Sequence, residues 1–191
     1  MNALRLSSAR RRALKTPTRT DKTSAIRLGE ITVKFNLIDN IQQFSDDKIV
    51  ATKYVSLAEE YLADHFPTFP VLPGVMMLEA LTQAAVWIMH RRNNFSKSMA
   101  ILKEARNVKY GQFVAPGNSL RVEVEYLKPT ESGATFKATG YVRDQQAVSA
   151  RLELSYFNLA DKQPELAALD KVLIDHNKTR WSVLQQGKVS L

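Results

Sequence analysis

The pattern of residues predicts an α+β domain in which a curled antiparallel sheet wraps one long central helix. Three observations carry that prediction. Residues 75–89 are apolar on almost every side, which marks a helix buried in most directions. Residues 120–127 and 147–157 alternate apolar and polar side chains with period two, as half-covered antiparallel strands do. Turn clusters at Ser45-Asp46-Asp47, Ala115-Pro116-Gly117-Asn118 and Asp144-Gln145 separate the segments.

Taken in order, residues 31–41 and 48–55 read as two strands joined at the first turn cluster. Residues 57–63 read as a short helix, followed by a loop punctuated by Pro67, Pro70 and Pro73. The long helix follows Pro73-Gly74 and stops near Asn93-Asn94, with His90, Arg91 and Arg92 suited to its C-terminal end. Residues 99–110 form the next strand. In 120–127, Leu120, Val122, Val124 and Tyr126 take one face, against Arg121, Glu123 and Glu125 on the other. Residues 135–142 and 147–157 follow as a hairpin, and 164–176 as a peripheral amphipathic helix.

The segment from His65 to Gln83 carries the chemistry. Its three prolines fix φ and push each preceding residue toward extended geometry, so the loop holds His65 in a defined place. Gly74 permits close approach to the backbone where the helix begins. In the apolar helix the polar exceptions are Glu79, Thr82 and Gln83, three and four residues apart and therefore on one face. A charge in such a helix needs a partner or a proton, and His65 across a cavity would serve. Free amides at the helix start could polarise a carbonyl, with Glu79 about 7–8 Å further along the axis. A neutral His65 could then take a proton beside that carbonyl, and Glu79 could protonate a departing hydroxyl. A lone histidine or glutamate is more often structural or solvated, and only their combination favours this reading.

This segment resembles the hotdog-fold 3-hydroxyacyl-[acyl-carrier-protein] dehydratases, in the branch with glutamate on the central helix. The pattern H-F-P-x-x-P-V-x-P-G-V-x-x-x-E-A-x-x-Q is met at His65, Phe66, Pro67, Pro70, Val71, Pro73, Gly74, Val75, Glu79, Ala80 and Gln83. The likeness extends over residues 31–158. It implies a hotdog fold, His65 as the base at C2 and Glu79 assisting loss of the hydroxyl. It implies also that the Gly74 amide binds the thioester oxygen, that the Val71 carbonyl receives the other ring N–H of His65, and that Gln83 belongs to the substrate-binding set. The site would form between two subunits of a homodimer or dimer-based oligomer, using no cofactor and no metal. Two departures stand out: Asp64 replaces the glycine usual before the histidine, and the stretch expected before the first strand is not recognisable.

Composition excludes several classes. The chain has no cysteine and three histidines (His65, His90, His176), which removes disulfides, thiol nucleophiles and a histidine-rich metal site. Its seven glycines form no nucleotide-binding loop. The net charge of +8 is concentrated in residues 1–27, with eight basic residues against Asp21. The near-neutral remainder gives no nucleic-acid signature. Residues 1–27 are expected to be a disordered tail, or alternatively an organelle transit peptide in place of a cytoplasmic location. Residues 28–159 are the expected hotdog domain and 160–191 a C-terminal extension. Pro73-Gly74, Glu79, Thr82 and Gln83 break the apolar run, so no membrane span is expected. His90 and His176 read as surface residues, and Tyr110 and Phe113 as tunnel or core. Arg91, Arg92, Lys97, Lys103, Arg106 and Lys109 form a basic cluster that could steer an acidic acyl carrier protein. A hotdog thioesterase and a non-catalytic acyl-binding module are the rival readings.

Overall fold

The computed structural model describes residues 35–66 and 68–186; the expected tail and the start of the expected first strand lie outside them. Among the described residues six antiparallel strands form one sheet: β1 (Asn40–Phe44), β2 (Lys48–Tyr54), β3 (Met99–Tyr110), β4 (Ser119–Pro129), β5 (Gly133–Val142) and β6 (Gln145–Phe157). Their spatial order is β1-β2-β4-β5-β6-β3, which leaves β1 and β3 at the edges. The helices are α1 (Tyr61–Asp64), α2 (Gly74–Arg92) and α3 (Ala167–Gln185), the last preceded by two short 3-10 turns. This is the hotdog arrangement, a curled sheet around α2.

The register explains the core. Val122 and Val124 of β4 sit opposite Gly140 and Ala138 of β5 and opposite Ala51 and Ile49 of β2, Leu120 sits opposite Lys53 of β2, and these three β4 residues are at most 1% exposed. Ala150, Leu152 and Leu154 of β6 continue that inner face, with Phe136 of β5 fully buried beside them. Against it α2 buries Met77, Ala80, Leu81, Ala84, Ala85 and Ile88. Gly117 at φ 82° and the pair Arg143-Asp144, at φ 47° and 64°, make the turns that bring these strands into register.

Four expectations need correction. The first described strand begins at Asn40, because residues 35–39 turn toward α2, where the Leu37 amide donates to Gln83 Oε1 at 2.9 Å. The helix expected over 57–63 is only Tyr61–Asp64, since a turn closed by the Glu59 amide on the Ser56 carbonyl occupies its start. The C-terminal helix runs to Gln185, and its last two turns bury Trp181 and Leu184. His90 is buried, not superficial, because α3 covers it: Asn177 reaches the Ser98 carbonyl and lies 3.4 Å from His90 Nε2. His176 is half-buried.

Candidate active site

His65 caps the C-terminal end of α1 in extended conformation, φ −105° and ψ 99°. The chain then turns sharply. Phe66 adopts φ 53°, unusual for a bulky residue, and its carbonyl accepts from the Phe69 amide at 2.7 Å. The Phe66 ring lies against the imidazole with centroids 4.5 Å apart. The end of the loop is anchored by Val71 and Leu72, both 1% exposed, and by the Leu72 amide donating to the Val114 carbonyl at 2.8 Å. Among the described residues no hydrogen bond joins the His65 ring to the Val71 carbonyl.

At the start of α2 the Pro73 carbonyl accepts from the Met76 and Met77 amides. The amides of Gly74 and Val75 are left without a backbone acceptor among the described residues, at the positive end of the helix dipole. The Tyr110 ring lies over Gly74 so closely that a Cβ there would sit 3.0 Å from it. Any larger residue at 74 must displace that ring. Tyr110, Phe66, Phe69, Phe113 and Val75 are all more than half exposed, an apolar rim around the helix start.

Glu79 is exposed in the single chain, although it lies in a largely apolar helix. The physical reason is that Val75 and Glu79 lie on the face of α2 turned away from the sheet, which continues through the half-buried Gln83 and Val86. Glu79 is nevertheless held. Gln83 Nε2 donates to Glu79 Oε1 at 3.0 Å and to the Phe35 carbonyl at 3.1 Å, while Gln83 Oε1 accepts from the Leu37 amide. Gln83 thus orients the carboxylate and pins residues 35–37 to the helix. No hydrogen bond or ion pair links His65 to Glu79 among the described residues. A hollow of about 650 Å³ nearby is lined by Phe35, Ala58, Glu59, Glu60, Tyr61 and Asp64, and includes neither.

The structure also changes the reading of the basic cluster. Arg92 pairs with Asp47 and lies 4.1 Å over the Tyr126 ring, Lys103 pairs with Glu153 at 2.8 Å, and Arg106 with Glu104 at 2.6 Å. Lys97 donates to the Tyr156 carbonyl, and Arg91 packs on Phe44 and Trp181. Two of the six cations, Arg92 and Lys103, thus meet acids distant in sequence, Asp47 and Glu153, which makes the patch less cationic than its spacing implied. Asp39, Lys53 and Glu59, which the motif does not include, form an ion-paired group beside α1. The available signal was Lys53 itself, a charge in phase with Ile49 and Ala51.

Among the described residues no group of His, Asp and Glu is placed to hold a metal ion, and no helix is long and apolar enough to cross a membrane. The family profile described as a FabA-like domain matches residues 32–151. The chain is 34% identical over 118 residues to a 3-hydroxyacyl-[acyl-carrier-protein] dehydratase FabZ of Clostridium perfringens, covering 62% of this chain and 85% of that one. It is 33% identical over 141 residues to the FabZ of Solibacter usitatus, covering 73% and 85%. Among solved structures it resembles the dehydratase heterocomplex ApeI:P from Xenorhabdus doucetiae, with TM-score 0.56, 22% identity and coverage of 70% and 88%. It also resembles a Streptococcus mutans protein bound to acetyl CoA, with TM-score 0.51, 14% identity and coverage of 68% and 95%.

Proposed function

This chain belongs to the FabA-like family, and on that premise we propose that it is a hydro-lyase that dehydrates 3-hydroxyacyl-[acyl-carrier-protein] thioesters to trans-2-enoyl thioesters in fatty acid biosynthesis. The thioester oxygen sits at the amides of Gly74 and Val75, where the helix dipole favours the negative charge that develops on it. His65 removes a proton from C2. Glu79, oriented by Gln83, delivers a proton to the C3 hydroxyl as it leaves as water. The balance closes: one C–H and one C–O bond break, a carbon–carbon double bond forms, and no oxidant or cofactor is required.

The observation that carries this reading is the exposed stripe of α2 around a carboxylate that is already oriented. A lone chain leaves Glu79 in solvent, where an acid cannot act selectively on an acyl chain. A second copy of the chain, laid along the open edge of β3 and the uncovered face of α2, would enclose it and bring it to the partner's histidine. The homodimer is therefore the working unit, with acyl carrier protein delivering the substrate in the cytoplasm. The domain boundaries that suit this reading are a body over 28–159, with 160–191 added to it.

The test uses two inactive variants. His65→Ala and Glu79→Gln should each lose turnover by roughly two to four orders of magnitude while remaining folded. Mixed and allowed to exchange subunits, they should recover about a quarter of wild-type activity, because half the dimers then hold one intact site. No recovery despite demonstrated exchange would overturn the shared site. Release of free thiol without the enoyl product would favour thioester hydrolysis instead.

A further inference from the structure

The inner face of β2 contains an anomaly. Ile49, Ala51 and Lys53 lie opposite Val124, Val122 and Leu120 of β4. Five of these six residues are apolar and at most 1% exposed; the sixth is a lysine, 4% exposed. Withdrawing an ammonium from water is costly, and an apolar residue of that size would serve the core at least as well. What Lys53 touches explains why a cation is there.

Its Nζ lies 2.6 Å from Glu59 Oε1 and 3.5 Å from Asp39 Oδ2. Glu59 leads directly into α1: its amide donates to the Ser56 carbonyl and its carbonyl accepts from the Leu62 amide at 3.0 Å. His65 stands at the other end of that single turn of helix. Asp39 closes the segment that holds Glu79. Its amide donates to the Thr52 carbonyl at 2.9 Å, and its Oδ2 accepts from the Tyr54 amide at 2.7 Å. Two and four residues earlier, the Leu37 amide and the Phe35 carbonyl bond to Gln83, which orients Glu79. The Tyr61 phenol reports the same convergence: burial first, then the charges of Glu59 and Asp39, push it up to about 12.

We propose that Lys53 is a positioning residue, a buried brace that fixes through Glu59 the short helix aiming His65 and through Asp39 the segment that keeps Gln83 and Glu79 in place. The proposal rests on the reading of His65 and Glu79 given above. It also implies that one protomer's brace serves two sites at once, since the shared-site reading assigns that protomer's histidine and acid to different centres.

Steady-state kinetics of purified dimers with a 3-hydroxyacyl-[acyl-carrier-protein] substrate test it, well below each variant's melting temperature. Lys53→Met should lower kcat by about 10–100-fold with KM changed less than about twofold, because misplacement of reacting groups costs rate more than binding. Lys53→Arg, which can still reach both carboxylates, should recover most of the loss. If Lys53→Met does not fold, Glu59→Ala decides, as it frees only α1 and should show the same fall in kcat at constant KM. A folded variant with wild-type kcat and a lowered melting temperature would reduce Lys53 to a structural role and overturn the proposal. So would a rise in KM at constant kcat, or failure of the arginine variant to recover activity. His65→Ala is measured alongside: retained turnover there defeats the base assignment itself, whereas loss there with full kcat in Lys53→Met and Glu59→Ala defeats only the brace.

Discussion

Gln83 engages both ends of its side chain, the oxygen on the Leu37 amide and the nitrogen on Glu79 and the Phe35 carbonyl. It therefore holds the Glu79 carboxylate, the acid of the proposed mechanism, rather than only lying beside a substrate. Gln83→Ala should reduce kcat by about tenfold or more and loosen residues 35–37, because each bond lost leaves a polar group to find water. Kinetics with amide hydrogen exchange at Leu37 would check both effects. His90 poses a different residue-scale question. It is 2% exposed and stacked on Phe95 with centroids 5.7 Å apart, and Nδ1 has no partner among the described residues. Burial pushes its pKa down to about 4 from an ordinary value of 6.5. As pH falls below the ordinary value, the unfolded chain binds a proton that the folded one refuses. Stability is full near neutrality and should decline toward pH 4, by about 2–3 kcal/mol between pH 7 and 4.5. Denaturant titrations at those two pH values should show this drop in the wild type and a smaller one in His90→Phe.

At the scale of elements, α3 is a structural part of the domain. Trp181 packs edge-on to Phe44 at 4.8 Å and against Trp87 at 5.7 Å, with the Arg91 guanidinium 5.3 Å over its ring. Asp170 accepts from the Ser98 hydroxyl and from the Leu159 and Ala160 amides; burial would raise its pKa, but these bonds hold it below the usual carboxylate range. The helix thus locks onto the C-terminal end of α2, opposite the end that bears Gly74. Trp181→Ala should cost about 3–5 kcal/mol and shift the thermal midpoint, while kcat measured well below that midpoint changes little. A large fall in kcat without destabilisation would contradict this division between the two ends of α2.

For the whole molecule, the uncovered stripe of α2, the aromatic rim at its start and the free edge of β3 belong to one problem. An open strand edge and exposed phenylalanines are liabilities in an isolated chain, and the proposed pairing of two copies would remove both. The protein should sediment as a dimer. Converting Val75, 69% exposed on that stripe, to Asp should shift it toward monomer and abolish activity together, since the acid then returns to solvent. Sedimentation and turnover measured over one concentration series would show whether the two losses coincide.

Much of this architecture was legible in local pattern. The bounds of β3, the alternation of β4 and β6, the turn at Gly117 and the span of α2 follow from side-chain period and from residues with restricted φ, which are properties of neighbours in the chain. The motif from His65 to Gln83 was legible for the same reason. Tertiary structure decided the rest, because burial and charge pairing depend on what the fold brings from afar. It enclosed His90 under α3, left Glu79 in the open, paired Arg92 and Lys103 of the basic cluster with acids distant in sequence, and surrounded Lys53 with two carboxylates from separate loops. Periodicity can tell which face of an element turns inward, but only the packed chain determines what that face meets.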